Sequence, residues 1–312
     1  MKNIQLLTGG HAALSEGWHE IPFRYENGLI LLAAKVNDDP VARDFILDTG
    51  AFNSKIMASW NETLNIKSMA YKTNSDSNGR TKKTEVIRIK QLQIGSVRFQ
   101  DVSADILRTD SLSLTNCYTD AGIIGANIMK LVNWKIDYQQ QRLYIAPKKW
   151  EVSDTEEPIA TVDFSHPMLS GVPTIELQIG DNRAKVILDL GFNSSLRLPY
   201  SLASSFQDTL RQHYVDGSSS GIYGLTLSDV AVQSLMVGVN HAAQFNTPVY
   251  FRGEQSALLG NEWLENYKLV LDYNQKEIRF YEVSELKDTT PHFSPYTPFL
   301  PGVLNDSLWV VR

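Results

Sequence analysis

FILDTGAFNSKI (residues 45–56) and VILDLGFNSSLRL (residues 186–198) are two versions of one phrase in a single chain. Each runs through large aliphatic residues into an aspartate, one further residue and a glycine, and then through apolar side chain to Asn and Ser. A charged side chain directly behind an apolar run is costly to bury unless something uses it. Two such acids, Asp48 and Asp189, one in each half of the chain, suggest halves that face each other across the pair.

Three more landmarks recur in the same order. LQIGSVRF matches LMVGVNHA at Gly95 and Gly238. GIIGANIMKLVNWKIDY matches ALLGNEWLENYKLVLDY at Gly125 and Gly260. Asp137-Tyr138 matches Asp272-Tyr273, each ahead of a short run, QQQRLYIA or NQKEIRFY. Order and near-constant spacing point to an internal duplication. Most segments read as strands. LILLAAKV, TIELQIG and EIRFYEV are short, rich in β-branched and aromatic residues, and bounded by turn residues such as NDDP, SNGR and IGDN. Helix is expected only at residues 126–131, 261–267 and in SLASSFQDTLRQHY. The class is mostly β, in two similar lobes. The first is expected over residues 21–147 and the second over 172–283, with a polar linker over 148–171. The Pro-rich tail 284–312 lies outside the repeat and is expected to pack on a lobe.

Bulk composition narrows the function. The 312 residues are 43% hydrophobic and 21% charged, with a net charge of −6. No dense basic block is available for nucleic-acid phosphates; GRTKKTEVIRIK reads as the solvated side of a hairpin. The lone Cys117 excludes an internal disulfide and reads as a small, partly buried residue. The longest apolar stretch, GLILLAAKV, is far below membrane-spanning length. The first aliphatics are broken by Gly9 and Gly10, too early for a secretory core. The compartment is left open: secreted or periplasmic after removal of a leader, otherwise cytoplasmic. The six histidines lack metal-ligand spacing, and neither a Gly-x-Ser-x-Gly elbow nor a phosphate loop occurs. No metal or cofactor is expected. Asp137 and Asp272 read as turn-forming residues.

Two carboxylates brought together cannot both ionise comfortably, so they share a proton. One can then take a proton from a water while the other donates to an amide oxygen. The nucleophile is water, so the chemistry requires no Ser, Cys or metal.

ILDTGA followed by a flap-like stretch and then GIIGAN resembles the retropepsin-type aspartic protease signature. The closest resemblance is to the bacterial tandem-repeat group, single-chain and pepsin-like in arrangement. It implies two acid-protease β-barrel lobes related by a pseudo-twofold axis, and an endopeptidase with Asp48 and Asp189 as the catalytic pair. It also implies that Thr49 locks its loop, that Gly50 and Gly191 shape the loops, and that Gly125 and Gly260 pack beneath them. Leu190 departs from the pattern, which has Thr or Ser there to brace the two loops by hydroxyl bonds across the lobes. Half of that brace is missing, Thr49 must find another acceptor, and Ser194 and Ser195 are nearby hydroxyls that could compensate. The substrate would be a peptide or protein lying under two flap hairpins. The first has its tip near Asn78-Gly79, a hairpin-turn pair. The second is VDGSSSGIYGLTL, in which Tyr223 either contacts the peptide or is a surface turn residue. A single chain supplying both lobes implies a monomer. A second reading, motivated by Leu190, is a weak or inactive relative that binds peptides or acts as a scaffold. A third, a two-carboxylate glycoside hydrolase, shares the chemistry but has no sugar-site residues to support it.

Overall fold

The computed structural model describes residues 9–109, 113–150, 156–167, 170–206, 213–239, 243–253, 256–283, 301–304 and 307–310. The duplication is visible in strand order. The first lobe's sheet runs Leu29–Val36, Arg43–Asp48, Gly122–Gly125, Ser54–Met57, Val97–Leu107, Thr81–Ile94, Ala70–Ser75. The second lobe's sheet runs Thr174–Ile179, Asn182–Leu188, Leu258–Leu259, Leu196–Leu198, Ala243–Phe251, Gly224–Val239, His213–Gly221. The order is the same, and so are the two parallel pairings within it. Each sheet curls closed, by Leu29–Val36 on Thr81–Ile94 and by Thr174–Ile179 on Gly224–Val239.

A six-stranded sheet joins the lobes. Its middle is the antiparallel pair Val132–Asp137 and Lys268–Asp272, with Lys135 opposite Val270. Outward from it, Arg142–Pro147 and His19–Pro22 lie on one side, Glu277–Tyr281 and Ala160–Asp163 on the other. Each half contributes three strands, which places the pseudo-twofold axis through this sheet. One apolar cluster continues through both lobes, from Phe45, Phe99 and Trp134 to Phe251, Trp263 and Phe280. Phe99 and Trp134 stack within it at 6.5 Å.

The structure departs from the expected boundaries. Ala160–Asp163, inside the expected linker, is a strand of the central sheet. Its alternation is only four residues long and sits between prolines and acids, which hid it. His11–Ala13 pairs with Val97–Leu107, so the first lobe draws on residues ahead of 21. The expected helices are short, Ala126–Met129 and Asn261–Leu264. Of SLASSFQDTLRQHY, Tyr200–Phe206 is a 3-10 helix, 207–212 lies outside the described residues, and His213 opens a strand. A helix at Ala58–Leu64 was not expected; Trp60 is its buried residue. In the tail, Pro301–Leu304 and Ser307–Val310 pair as a hairpin. The packing of the tail on a lobe lies outside the described residues. Cys117 is exposed, contrary to its reading as partly buried. Among the described residues, no helix is long and apolar enough to cross a membrane.

Candidate active site

The strands Arg43–Asp48 and Asn182–Leu188 each run beside a parallel partner, and Asp48 lies opposite Gly125. At their ends the chain turns at once, and the two turns meet. Asp48 and Asp189 are hydrogen-bonded to each other. The glycines explain how they come so close. A Cβ on Gly50 would lie 2.6 Å from the Asp189 carboxyl carbon, and one on Gly191 would lie 2.4 Å from that of Asp48. Each glycine thus clears the space occupied by the acid of the other lobe. Gly125 and Gly260 clear space for the backbone of the aspartate loop of their own lobe. A Cβ on Gly125 would meet Ala51 O at 2.8 Å, and one on Gly260 would meet Ser194 O at 2.3 Å.

Burial pushes both carboxyls above the ordinary aspartate range. For Asp189 the charge of Asp48 and the hydrogen bond to it push further in the same direction, against weaker opposition from the Gly191 N–H and the Arg197 charge. For Asp48 the Lys55 charge, the Ala51 N–H and the bond from Asp189 all oppose the desolvation. Two carboxyls this close share one proton, and the Lys55 charge beside Asp48 favours ionisation on that side of the pair. The Ala51 N–H bond to Asp48 Oδ1 is 2.7 Å, and the Gly191 N–H bond to Asp189 Oδ1 is 2.9 Å.

The expected brace takes a different form. The fully buried Thr49 hydroxyl donates to Leu188 O at 2.6 Å and accepts from Leu190 N–H at 2.9 Å. Both partners are backbone groups of the opposite lobe, so Thr49 bonds fully whatever side chain stands at 190. Only the reciprocal half is lost. The Leu190 side chain is fully buried in the apolar cluster. Ser194 and Ser195 do not replace the missing hydroxyl, since they bond Glu262 and Pro248 O within their own lobe.

The two flap hairpins touch. In the first, Gly79 adopts φ 78° and its N–H bonds Asp76 O at 3.0 Å, giving a three-residue turn with a glycine bulge rather than a two-residue Asn-Gly turn. In the second, Gly221 pairs with Gly224 around Ile222-Tyr223. Tyr223 is only 4% exposed, so the surface-turn reading is wrong. Its hydroxyl accepts from Asn74 Nδ2 at 3.0 Å, its carbonyl accepts from Arg80 Nη1 at 3.1 Å, and Lys82 Nζ lies 5.1 Å from its ring. The ring packs on an apolar patch of the first lobe that includes Leu31, Ile46, Met57 and Ile123. Arg80 and Lys82 thus serve the flap junction, not only a solvated face.

Several polar residues at the site escaped the sequence reading. Asn127 accepts from Ser54 N–H and Ser54 Oγ beneath the first loop. Asn261 donates to Gly28 O and Leu190 O, both at 2.7 Å, and accepts from Tyr138 O–H at 2.8 Å, tying the lobes together. Lys55 and Arg197 are buried cations on the strands leaving the two aspartate loops. The available signal was a charged residue inside a short apolar run, SKIM and LRL. Asp137 and Asp272 accept turn N–H groups, as turn residues do.

Residues 32–128 match the family model described as aspartyl protease. Among curated proteins, none matches the sequence. Among solved structures, an aspartic proteinase from Irpex lacteus superposes with a TM-score of 0.53 at 12% identity, over 88% of this chain and 99% of that one. At that identity the likeness is one of fold, and it extends over both lobes, whereas the family model matches the first. The first lobe is thus similar in sequence to aspartyl proteases, and the whole chain has the two-lobed acid-protease fold.

Proposed function

We propose that the protein is an aspartic endopeptidase that uses Asp48 and Asp189 as one acid–base unit. The observation that carries this is the hydrogen-bonded pair of raised-pKa carboxyls at the lobe junction, each facing a glycine of the other lobe. In this reading a water between them loses a proton to Asp48 as its oxygen attacks the amide carbon. Asp189 gives its proton to the carbonyl oxygen, leaving a tetrahedral diol. Collapse of the diol returns a proton to Asp189, breaks the C–N bond and sends the other proton to the amine. The flaps, joined through Tyr223, would cover an extended peptide and exclude bulk water. Membership of a bacterial single-chain group, monomeric state and a peptide or protein substrate belong to this proposal.

Leu190 favours a second reading, a peptide-binding relative without turnover. The intact bonds of Thr49 to Leu188 and Leu190 weigh against it, because the loops remain braced without a second hydroxyl. The test is digestion of an unfolded polypeptide from acid to neutral pH, with and without a transition-state-like aspartic-protease inhibitor. Inhibitor-sensitive cleavage is expected, and Asp48→Asn and Asp189→Asn should each remove it with circular dichroism unchanged. Normal turnover by either variant would break the assignment, while no cleavage at any pH would favour the binding reading.

A further inference from the structure

Lys55 and Arg197 occupy matched places. Lys55 pairs with Ile123, two residues before Gly125, and Arg197 pairs with Leu258, two residues before Gly260. Each is 4% exposed. Lys55 shares a sheet face with Ile46, Ile123 and Met57, the patch on which the flap residue Tyr223 sits, so it belongs to the wall of the cleft. The duplication therefore places one buried cation on either side of the aspartate pair. Side chains of this type are almost never buried without a partner.

Their partners are incomplete. Lys55 Nζ donates to Asn53 O at 3.0 Å. Asp105 lies opposite Lys55 on the next strand, and its charge is shared between Lys55 and Lys72 of the flap, whose Nζ is 3.0 Å away, while Asn53 Nδ2 bonds its other oxygen at 2.7 Å. Arg197 is barer. Where the first lobe has Asp105, the second has Tyr250. Arg197 Nη2 donates to Ser256 O at 3.1 Å, its one hydrogen bond among the described residues. Its guanidinium stands 6.0 Å from the Phe192 ring. The charges that face it are Asp189, Asp76 on the first flap, and a second cation, Arg252. Asp76 uses one oxygen within its own turn, and its Oδ2 is buried without a partner. Among the described residues, Lys55, Lys72 and Arg197 thus share Asp105 and Asp76 around the pair, in a chain that is acidic as a whole.

We propose that the cleft selects acidic peptides, with Arg197 binding a Glu or Asp side chain on one side of the scissile bond and Lys55 binding a second on the other. This rests on the peptidase reading above and adds its substrate class. A planar guanidinium with free donors suits a carboxylate held by two parallel bonds. Asp76 sits on the flap, so a flap that lifts to admit a peptide carries that carboxylate away from Arg197 and frees it. Arg197, with no sheet carboxylate opposite, is the stronger selector of the two.

The test uses two peptides with a central Leu–Phe bond and two Glu, or two Gln, on each side. Each is made in cleavable form and with the central amide replaced by hydroxyethylene. The full chain is expected to cleave the Glu peptide with kcat/KM at least tenfold above the Gln peptide, mostly through KM, and to bind its hydroxyethylene form correspondingly tighter by fluorescence anisotropy. Arg197→Gln and Lys55→Gln should each shrink that ratio, with the larger effect at 197. Arg197→Lys should keep part of it, and Arg197→Glu should favour a matching Lys peptide. The ratio is taken within one variant, so a loss of folded protein cancels. A wild-type ratio near or below one in both cleavage and binding would overturn the acidic preference while leaving the peptidase reading intact. Tighter binding of the Glu form with cleavage of neither peptide would sink the peptidase reading and uphold the preference. A preference unchanged by both Gln variants would overturn the assignment to these residues.

Discussion

At the residue scale the aspartate pair makes stability and activity pull apart. Asp189 has its pKa raised in the folded chain, whereas in the unfolded chain it titrates near the ordinary value of about 3.9. The folded state therefore binds more protons than the unfolded state between those two values. The group's stabilising effect is present at low pH and is lost as pH rises through the folded value. Asp189→Asn should accordingly be inactive yet gain in melting temperature relative to wild type as pH is raised from 4 to 8. A constant difference across that range would mean that Asp189 ionises freely. Leu190 gives a second prediction. Leu190→Thr would let a hydroxyl reach across to the first lobe, worth about 1 kcal/mol. It would also remove two buried carbon groups, at about 0.8 kcal/mol each, and leave a cavity. Thr49 already completes its own bonds, so packing decides the sign. We expect a net loss of about 1–2 kcal/mol in urea denaturation with cleavage retained. A more stable variant would show that the apolar contacts of Leu190 contribute little. Both acids were legible in the sequence because each ends an apolar run that is repeated. The backbone partners of Thr49 were not, since a hydroxyl's acceptor on another lobe leaves no mark in local sequence.

At the element scale the glycines separate close approach from mere turn geometry. Gly122 begins the short strand that runs beside Asp48, and it has φ 149°. A Cβ there would stand 1.9 Å from Lys55 O, a backbone atom that cannot swing away. Gly180, in the tight turn between Thr174–Ile179 and Asn182–Leu188, has φ 54° and open space where a Cβ would go. Gly122→Ala is therefore predicted to cost at least about 3 kcal/mol and Gly180→Ala about 1 kcal/mol, both read from chemical denaturation midpoints. Similar losses at the two positions would mean that the strand shifts to relieve the clash. The strands were readable from their alternation, whereas elements that lean on context were not. Ala58–Leu64 is a helix with one buried residue, Trp60, so its apolar period is too weak to recognise. Ala160–Asp163 becomes a strand because Glu277–Tyr281 offers it an edge. The flap turns were readable as turns, but the burial of Tyr223 between them depends on the other lobe.

At the scale of the whole molecule, two lobes built from a duplication could unfold separately, as multidomain chains often do. Here three features couple them. The central pair Val132–Asp137 and Lys268–Asp272 is one ladder with a strand from each lobe. The apolar cluster passes through it without a break. Asn261, on the second lobe's short helix, bonds Gly28 O and Tyr138 O–H of the first and Leu190 O of its own. Unfolding should therefore be a single transition, with far-ultraviolet dichroism and tryptophan fluorescence coincident and the calorimetric and van't Hoff enthalpies equal. Asn261→Ala tests the coupling directly. It leaves three polar groups without their partner, the buried Leu190 O and Tyr138 O–H and the part-buried Gly28 O, at about 1–3 kcal/mol for each group that water cannot reach. If the lobes fold as one unit, the whole transition moves to lower temperature and stays single, although the substituted residue belongs to the second lobe. If the Asn261 bonds are the main tie, the transition splits, and the first lobe melts at its own temperature. If neither a shift nor a split occurs, the central sheet and the shared core hold the lobes together without it. The aspartate loops would then keep their register by packing, and cleavage by the variant should match wild type.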